Sequence, residues 1–195
     1  QIGVQCCAVG NAFLRTRDLV AITRPYMRRL MEESGETVNL AVRDNDEMVY
    51  LAQVECREIM RAFAKPGARV PIAGSAVGKT LLARLRTDEV SKLLARIGTE
   101  HKTRRTIDAL PRMEAELAKV RVAEFAVDNE EHSVGLRCVA SAVFGHHSEP
   151  LAAISISGPT ARITDDRVNK LGKIVCTVAK EATVALGGIW PHSDA

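Results

Sequence analysis

The sequence predicts an α+β domain with one mainly antiparallel central sheet and helices on its faces. Two predicted hairpins support this class, because strands joined by a short turn pair antiparallel. The predicted order of elements, in which helices alternate with the two hairpins and a helix comes last, supports it as well. The chain has 195 residues, of which 46% are apolar and 4% aromatic, and this composition is typical of a globular domain.

Apolar residues at helical spacing dominate the start of the chain. In the segment 5–34 they predict two helices, separated near Thr16–Asp18. Pro25 falls in the second helix and is expected to mark an early turn or a kink. The other predicted helices are 75–85, a short helix from Thr87, 106–121, and a long helix from Thr164 to about Leu186.

Alternating apolar residues predict the strands. Thr37–Val42 and Met48–Val54 form the first hairpin, joined by Asp44–Asp46, since Asp and Asn tolerate the backbone of tight turns. The remaining strands are predicted at Phe125–Val127, Leu136–Phe144 and Leu151–Ser157, the last two forming the second hairpin. The loop between the first hairpin and the helix at 75–85 is rich in Gly and Pro.

Charge and cysteine content exclude several kinds of protein. A formal charge of +3 is too small to indicate nucleic-acid binding by charge alone. No apolar run approaches the ~18 residues of a membrane span. The five cysteines lack the spacing of a zinc site and are expected to be reduced thiols. We therefore expect a cytoplasmic protein that does not bind a membrane, with no metal and no cofactor.

The segment Gly74–Thr80 ends in Gly-Lys-Thr, as a phosphate-binding loop does. Only three residues separate Gly74 from Gly78, however, whereas that loop requires four. Small residues at the start of a helix leave backbone N–H groups accessible, and a small carboxylate could bind to them. The alternative is that the two glycines only allow close helix packing.

Ser155 and Ser157 alternate with Ile154 and Ile156, so both hydroxyl groups lie on one face of a strand. Either this face is solvated, or it forms the floor of a polar pocket whose hydroxyls donate to a carboxylate. The acidic segment Asp128–His132 lacks the spacing of metal ligands and is interpreted as a solvated loop.

Four stretches together resemble the C-terminal effector-binding domain of the IclR family of bacterial transcriptional regulators. They are Met31–Val42, Ser75–Lys79, Asp128–Cys138 and Ala153–Pro159, and the resemblance extends from about Ile2 to Gly188. It is greatest to the members that respond to glyoxylate or pyruvate. It implies a GAF-like fold for residues 18–188, a linker helix at 1–17 that follows an N-terminal winged helix-turn-helix absent from this chain, and a C-terminal tail at 189–195.

The resemblance also implies a ligand pocket lined by Ile59, Ala76, Val77, Asp128, Leu136, Cys138, Ser155 and Ser157. In such a pocket the N–H groups of Ala76 and Val77 and the two serine hydroxyls bind a carboxylate. Asp128 and Cys138 contact the oxygen at C2, while Ile59 and Leu136 exclude bulkier ligands. Relatives that sense glyoxylate or pyruvate have Gly-Ala in place of Ala76–Val77, so a smaller pocket is expected here.

The implied function is that of a sensor for a small 2-oxo or 2-hydroxy acid that controls operator binding by an attached DNA-binding domain. A homodimer or tetramer is expected, because operators with two half-sites require paired readers. No enzyme activity is expected. Two alternatives remain open: a small-molecule enzyme using Cys138 as nucleophile with His132 or Asp128 as base, and an oligomerisation module that binds no ligand.

Overall fold

The computed structural model describes residues 4–98 and 101–191, with side chains from residue 18 onward. Its elements are α1 Val4–Ser34, β1 Thr37–Asp44, β2 Glu47–Val54, β3 Arg69–Pro71, α2 Ala76–Leu82, α3 Thr87–Ile97, α4 Leu110–Ala123, β4 Ala126–Asn129, β5 Leu136–Phe144, β6 Pro150–Pro159 and α5 Asp165–Ala185. The six strands form one sheet in the order β3-β2-β1-β6-β5-β4, and each neighbouring pair is antiparallel. The predicted α+β class is confirmed.

Both predicted hairpins are present, as β1–β2 and β5–β6. Asn45 in the first turn has φ 57°, which agrees with the left-handed backbone expected of this turn. The expectation that the segment before α2 is only loop is wrong, because β3 pairs with Glu47–Val49 of β2. Pro71 is tolerated there because β3 is an edge strand, where a missing N–H breaks no ladder.

α1 is a single helix, so the break predicted near Thr16–Asp18 is wrong. Pro25 lies inside it without ending it. Met27 and Leu30 of this helix are fully buried. Their burial against the sheet offsets the backbone hydrogen bond that Pro25 cannot make. The boundary expected at residue 17 therefore lies within a continuous helix.

The two faces of the sheet are covered differently. The apolar face carries Val38, Leu40, Val139, Ile154 and Ile156, which pack against α1 and α5. The opposite face, here called the site face, packs against α2, α3 and α4. Because side chains alternate along a strand, the neighbours of these aliphatic residues point to the site face. There they include Asn39, Cys138, Ser155 and Ser157.

Two glycines of the motifs allow close approaches. A Cβ at Gly78 would lie 1.8 Å from the carbonyl oxygen of Ile72, so α2 can pack against this segment only with glycine there. A Cβ at Gly158 would lie 2.4 Å from the buried Glu36 carboxylate. That carboxylate accepts hydrogen bonds from Nε and Nη2 of Arg162, at 2.6 and 2.8 Å. Close packing therefore accounts for both glycines.

The C-terminal end packs onto the domain. The ring of Trp190 meets that of Phe144 edge to face at 4.9 Å, and its Nε1 donates to Glu124 at 2.9 Å. The start of the segment expected to be a tail is thus held by the domain, while residues 192–195 lie outside the described part. No described helix has the length and apolarity needed to cross a membrane.

Candidate functional site

Polar residues on the site face form two rows across the strands. The first row crosses β4, β5 and β6 and consists of Asp128, Cys138 and Ser157. The second row crosses β6, β1 and β2 and consists of Ser155, Asn39 and Gln53. Side chains opposite each other on neighbouring strands lie within contact distance. The register of the sheet therefore brings together residues that are far apart in sequence.

A bulge in β2 determines the end of the second row. Leu40 pairs with Ala52 but Ala41 pairs with Tyr50, so Leu51 is an extra residue in β2. Because a bulge shifts which residues face each side, Tyr50 and Gln53 both reach the site face. Strict alternation would have placed Ala52 there instead. The bulge thus supplies an amide to the site.

Two neighbouring cavities lie against these rows. The inner cavity measures about 20 Å³, room for roughly one water, and lies between Ser155, Asp128 and the start of α2. The outer cavity measures about 470 Å³, within the ~300–1,000 Å³ range of small-molecule sites. The residues that line both cavities are Tyr50, Val70, His132, Leu136 and Cys138.

Seven of the eight predicted site residues line one or both cavities. The inner cavity is lined by Ala76, Val77, Asp128, Leu136, Cys138 and Ser155, and the outer cavity by Leu136, Cys138 and Ser157. Ile59 lines neither, and its side chain is 98% exposed. The expectation that it walls the pocket is wrong. Ile59 lies in residues 55–68, which form neither helix nor strand. The sequence of such a segment does not fix the direction of its side chains.

Ser155 carries the most informative hydrogen-bonding feature of the site. The residue is 1% exposed and lines the inner cavity, and its Oγ has no hydrogen-bond partner among the residues that the structure describes. Leaving a buried hydroxyl without a partner costs about 1–3 kcal/mol. A ligand oxygen in the inner cavity would supply the missing partner.

An amide chain connects the second row to Ser157. Nε2 of Gln53 donates to Oδ1 of Asn39 at 2.8 Å, and Nδ2 of Asn39 donates to Oγ of Ser157 at 3.1 Å. Since Ser157 accepts from Asn39, its own hydroxyl hydrogen can donate, either to the neighbouring Cys138 sulfur or to a ligand. Sequence reasoning missed both amides, although Asn39 lies in a predicted strand at the spacing that places it on the same face as Ala41.

The start of α2 contributes backbone donors. Ser75 caps this helix, because its Oγ accepts from the N–H of Gly78 at 3.2 Å while donating to the carbonyl of Pro71 at 2.7 Å. The first N–H groups of a helix have no acceptor within it. Ala76 and Val77 are in this first turn and line the inner cavity, so their N–H groups suit an anion.

Asp128 is the acidic group of the inner cavity and is 2% exposed. The interpretation of residues 128–132 as a solvated loop is therefore wrong, because Asp128 belongs to β4 and Glu131 is also buried. Oδ1 of Asp128 accepts from the N–H groups of Glu131 at 2.7 Å and His132 at 3.3 Å. Burial raises the pKa of Asp128 to about 7, and the charge of Glu131 acts in the same direction. Near neutral pH a large fraction of Asp128 is therefore uncharged and able to donate a hydrogen bond.

Lys79 is completely buried and does not face a phosphate site. Its Nζ donates to the carbonyl of Val127 and to the Glu131 carboxylate, each at 2.5 Å, and lies 3.6 Å from Glu116. The ion pair with Glu131 joins α2 to the loop between β4 and β5. Since its donors are used within the protein, this lysine does not act as that of a nucleotide-binding loop.

The thiol of Cys138 is suited to contact rather than to attack. The residue is 8% exposed, and burial raises the pKa of its thiol, with the charge of Asp128 acting in the same direction. A thiol of raised pKa stays protonated near neutral pH and is a weak nucleophile. Within the described residues, no group of three or more His, Cys, Asp or Glu is arranged to hold a metal ion.

An antiparallel sheet with helices on both faces, enclosing a polar cavity on one of them, defines a GAF-like α+β domain. The family model described as "Bacterial transcriptional regulator IclR C-terminal" matches residues 11–184. The chain belongs to this family, as its four sequence motifs predicted.

Similar proteins agree with this assignment. The transcriptional repressor IclR of Escherichia coli K12 is 46% identical over 190 residues, which cover 96% of this chain and 69% of the relative. The repressor AllR of the same strain is 40% identical over 186 residues, covering 95% and 69%. Among solved structures, Thermotoga maritima IclR has a TM-score of 0.84 at 30% identity, covering 95% of this chain and 75% of that one. The C-terminal domain of E. coli KdgR has a TM-score of 0.78 at 32% identity, covering 87% and 99%.

Proposed function

We propose that this chain is the sensing domain of a transcriptional regulator, and that its cavities bind a small 2-oxo or 2-hydroxy acid such as glyoxylate or pyruvate. The observation that carries the proposal is the buried, unpartnered hydroxyl of Ser155 beside the first turn of α2. A ligand carboxylate accepts hydrogen bonds both from this hydroxyl and from the backbone N–H groups of the first turn of α2. The repressors similar to this chain support a regulatory role.

The acid binds with its carboxylate toward the inner cavity. The hydroxyls of Ser155 and Ser157 and the N–H groups of Ala76 and Val77 donate to it. The inner cavity holds about one water, so the rest of the acid lies at the junction with the outer cavity. There Cys138 and Asp128 contact the oxygen at C2, and Leu136 forms an apolar wall.

The protonation of Asp128 matters for an anionic ligand. An ionised Asp128 beside a carboxylate would repel it by about 1–4 kcal/mol in partly solvated surroundings. The pKa of about 7 keeps much of this residue neutral near physiological pH, and the neutral carboxyl group donates to the ligand instead. Burial of Asp128 thus favours the binding of an acid.

Regulation requires that the ligand distinguish two arrangements of the whole protein, since equal affinity would shift no equilibrium. In the proposal, an N-terminal winged helix-turn-helix binds the operator, with residues 1–17 as its linker to the sensing domain. The protein acts in the cytoplasm as a homodimer or tetramer, which presents paired DNA readers to two half-sites.

The sensing role is preferred to the two alternatives. Catalysis through Cys138 would need an ionised thiol, whereas burial favours the protonated form. A module that binds no ligand would have an apolar, closed interior, whereas the outer cavity is about 470 Å³ and lined by Asn39, Gln53 and Ser157.

A thermal-shift panel tests the proposal. Glyoxylate, pyruvate, glycolate and oxalate are compared with acetate and benzoate, which lack the C2 oxygen. An acid present at 100 times its dissociation constant should add about 2.7 kcal/mol to the free energy of unfolding. If none of the four acids with an oxygen at C2 shifts the melting temperature at millimolar concentration, the proposal is overturned. Turnover of one of these acids would overturn it as well.

A further inference from the structure

The outer cavity is far larger than a two- or three-carbon acid requires. It measures about 470 Å³, whereas the inner cavity that receives the carboxylate measures about 20 Å³. Its lining includes polar groups at Asn39, Gln53 and Ser157 and an apolar part to which Phe63 belongs, and Lys65 and Arg69 add basic side chains. A site of this size and lining suits a ligand with two polar ends joined by an apolar chain.

The second row sets the length of such a ligand. Ser155, Asn39 and Gln53 lie opposite one another on three neighbouring strands. Strands are about 4.8 Å apart, so the first and last residues of this row are separated by roughly 10 Å. An extended chain of four to six atoms spans about 4–6 Å by standard bond geometry, and the glutamine side chain covers the rest.

The hydrogen-bonding capacity of Gln53 sets the chemistry of the far end. Within the described part of the chain, its only side-chain hydrogen bond is the one Nε2 donates to Asn39. This bond orients the amide and leaves the carbonyl Oε1 available as an acceptor. The chain of hydrogen bonds continues to Ser157. The hydroxyl of Ser157, which is a donor, and Oε1 of Gln53, which is an acceptor, are therefore fixed relative to each other.

We propose that Gln53 forms a second subsite, in which Oε1 accepts a hydrogen bond from an amide or similar donor at the far end of a four- to six-atom organic acid. The inference rests on the proposed function, because the carboxylate of this acid occupies the inner end beside Ser155. Phe63 packs against the intervening methylene groups.

Calorimetry with matched acids tests the subsite. 2-Hydroxysuccinamate with its amide at the far end carries the carboxylate, the C2 oxygen and the terminal amide, and 2-hydroxypentanoate has similar length without the donor. Wild-type protein should bind 2-hydroxysuccinamate roughly three- to tenfold more tightly than 2-hydroxypentanoate, the range expected for one net hydrogen bond. In Gln53→Met, which keeps the volume but lacks the acceptor, the two acids should bind equally.

The outcomes separate this inference from the proposed function. Equal binding of 2-hydroxysuccinamate and 2-hydroxypentanoate to the wild type, or an unchanged preference in Gln53→Met, overturns the subsite. If pyruvate and glyoxylate bind but neither longer acid does, the subsite is also overturned while the proposed function stands. If no acid binds, the proposed function itself is wrong. Gln53→Ala serves as a second variant, with circular dichroism to verify that each protein is folded.

Discussion

The two faces of the sheet share the same strands but differ in chemistry. On β6, Ile154 and Ile156 are fully buried against α1 and α5, while Ser155 and Ser157 are nearly as buried on the site face. The apolar face is mainly aliphatic, and the hydroxyl of Ser141 on that face already donates to the Glu124 carbonyl at 2.8 Å. The site face buries hydroxyl, amide and carboxyl groups, including the Ser155 hydroxyl, which has no partner within the described part of the chain. The apolar face therefore supplies stability, and the site face retains hydrogen-bonding capacity for a ligand.

The largest effect is expected from breaking the buried ion pair behind the site face. In Lys79→Met, Glu131 stays buried without its cation, and the free energy of unfolding should fall by about 3–5 kcal/mol. Urea denaturation measures the change. The double variant Lys79→Met/Glu131→Gln removes both charges and should recover most of the loss. If the double variant is no more stable than the single one, the ion pair is not the cause.

The pH dependence of stability isolates Asp128. The pKa of Asp128 is about 7 in the folded protein, above the value of ~3.9 in the unfolded chain. The stability that protonation of Asp128 provides is therefore complete below about pH 4. It is lost as the pH rises through about 7. Relative to Asp128→Asn, the wild type should lose up to about 4 kcal/mol between pH 4 and 8. Parallel stability curves for the two proteins in urea titrations would contradict the assignment.

Two serines on opposite faces of the sheet provide a matched pair. Ser155→Ala removes an unpartnered hydroxyl, so stability should hardly change, while pyruvate binding should weaken by about 1.5–3 kcal/mol. Ser141→Ala, on the apolar face, removes the donor to the Glu124 carbonyl. It should lower stability by about 1–3 kcal/mol and leave binding unchanged. Calorimetry should show weaker pyruvate binding only in Ser155→Ala, and denaturation should show lower stability only in Ser141→Ala. Equal losses of binding in the two variants would refute this prediction.

The smallest effect is expected from trimming the apolar face. Ile156→Val removes one methylene from a fully buried side chain and should cost about 0.5–1.5 kcal/mol of unfolding free energy. Pyruvate affinity at a temperature well below the unfolding midpoint should be unchanged, because Ile156 points away from the cavities. A change in affinity as large as that of Ser155→Ala would show that the two faces are not independent.

Strand periodicity made part of the site predictable. The alternation at residues 154–157 places both serines on one face, and the structure puts that face against the inner cavity. Gln53 was not predictable, because the bulge at Leu51 depends on pairing with β1 rather than on local sequence. The burial of Lys79 against Glu131 depends on a contact between residues far apart in sequence, which no local pattern reveals.

Two of the wrong expectations share a physical cause. The exposure of Ile59 reflects an irregular segment without the periodicity that fixes side-chain direction. The break predicted near Thr16–Asp18 relied on local polarity, and the continuity of α1 overrides it. In both cases a local rule was applied where longer-range structure decides the outcome.

The continuity of α1 has a mechanical consequence. At 1.5 Å per residue, its 31 residues form a rod roughly 46 Å long. Its last residue, Ser34, is three positions before β1, the strand that carries Asn39. Because α1 has no break along its length, a tilt of about 5° at its C-terminal end would displace its N-terminal end by about 4 Å, as its length alone requires.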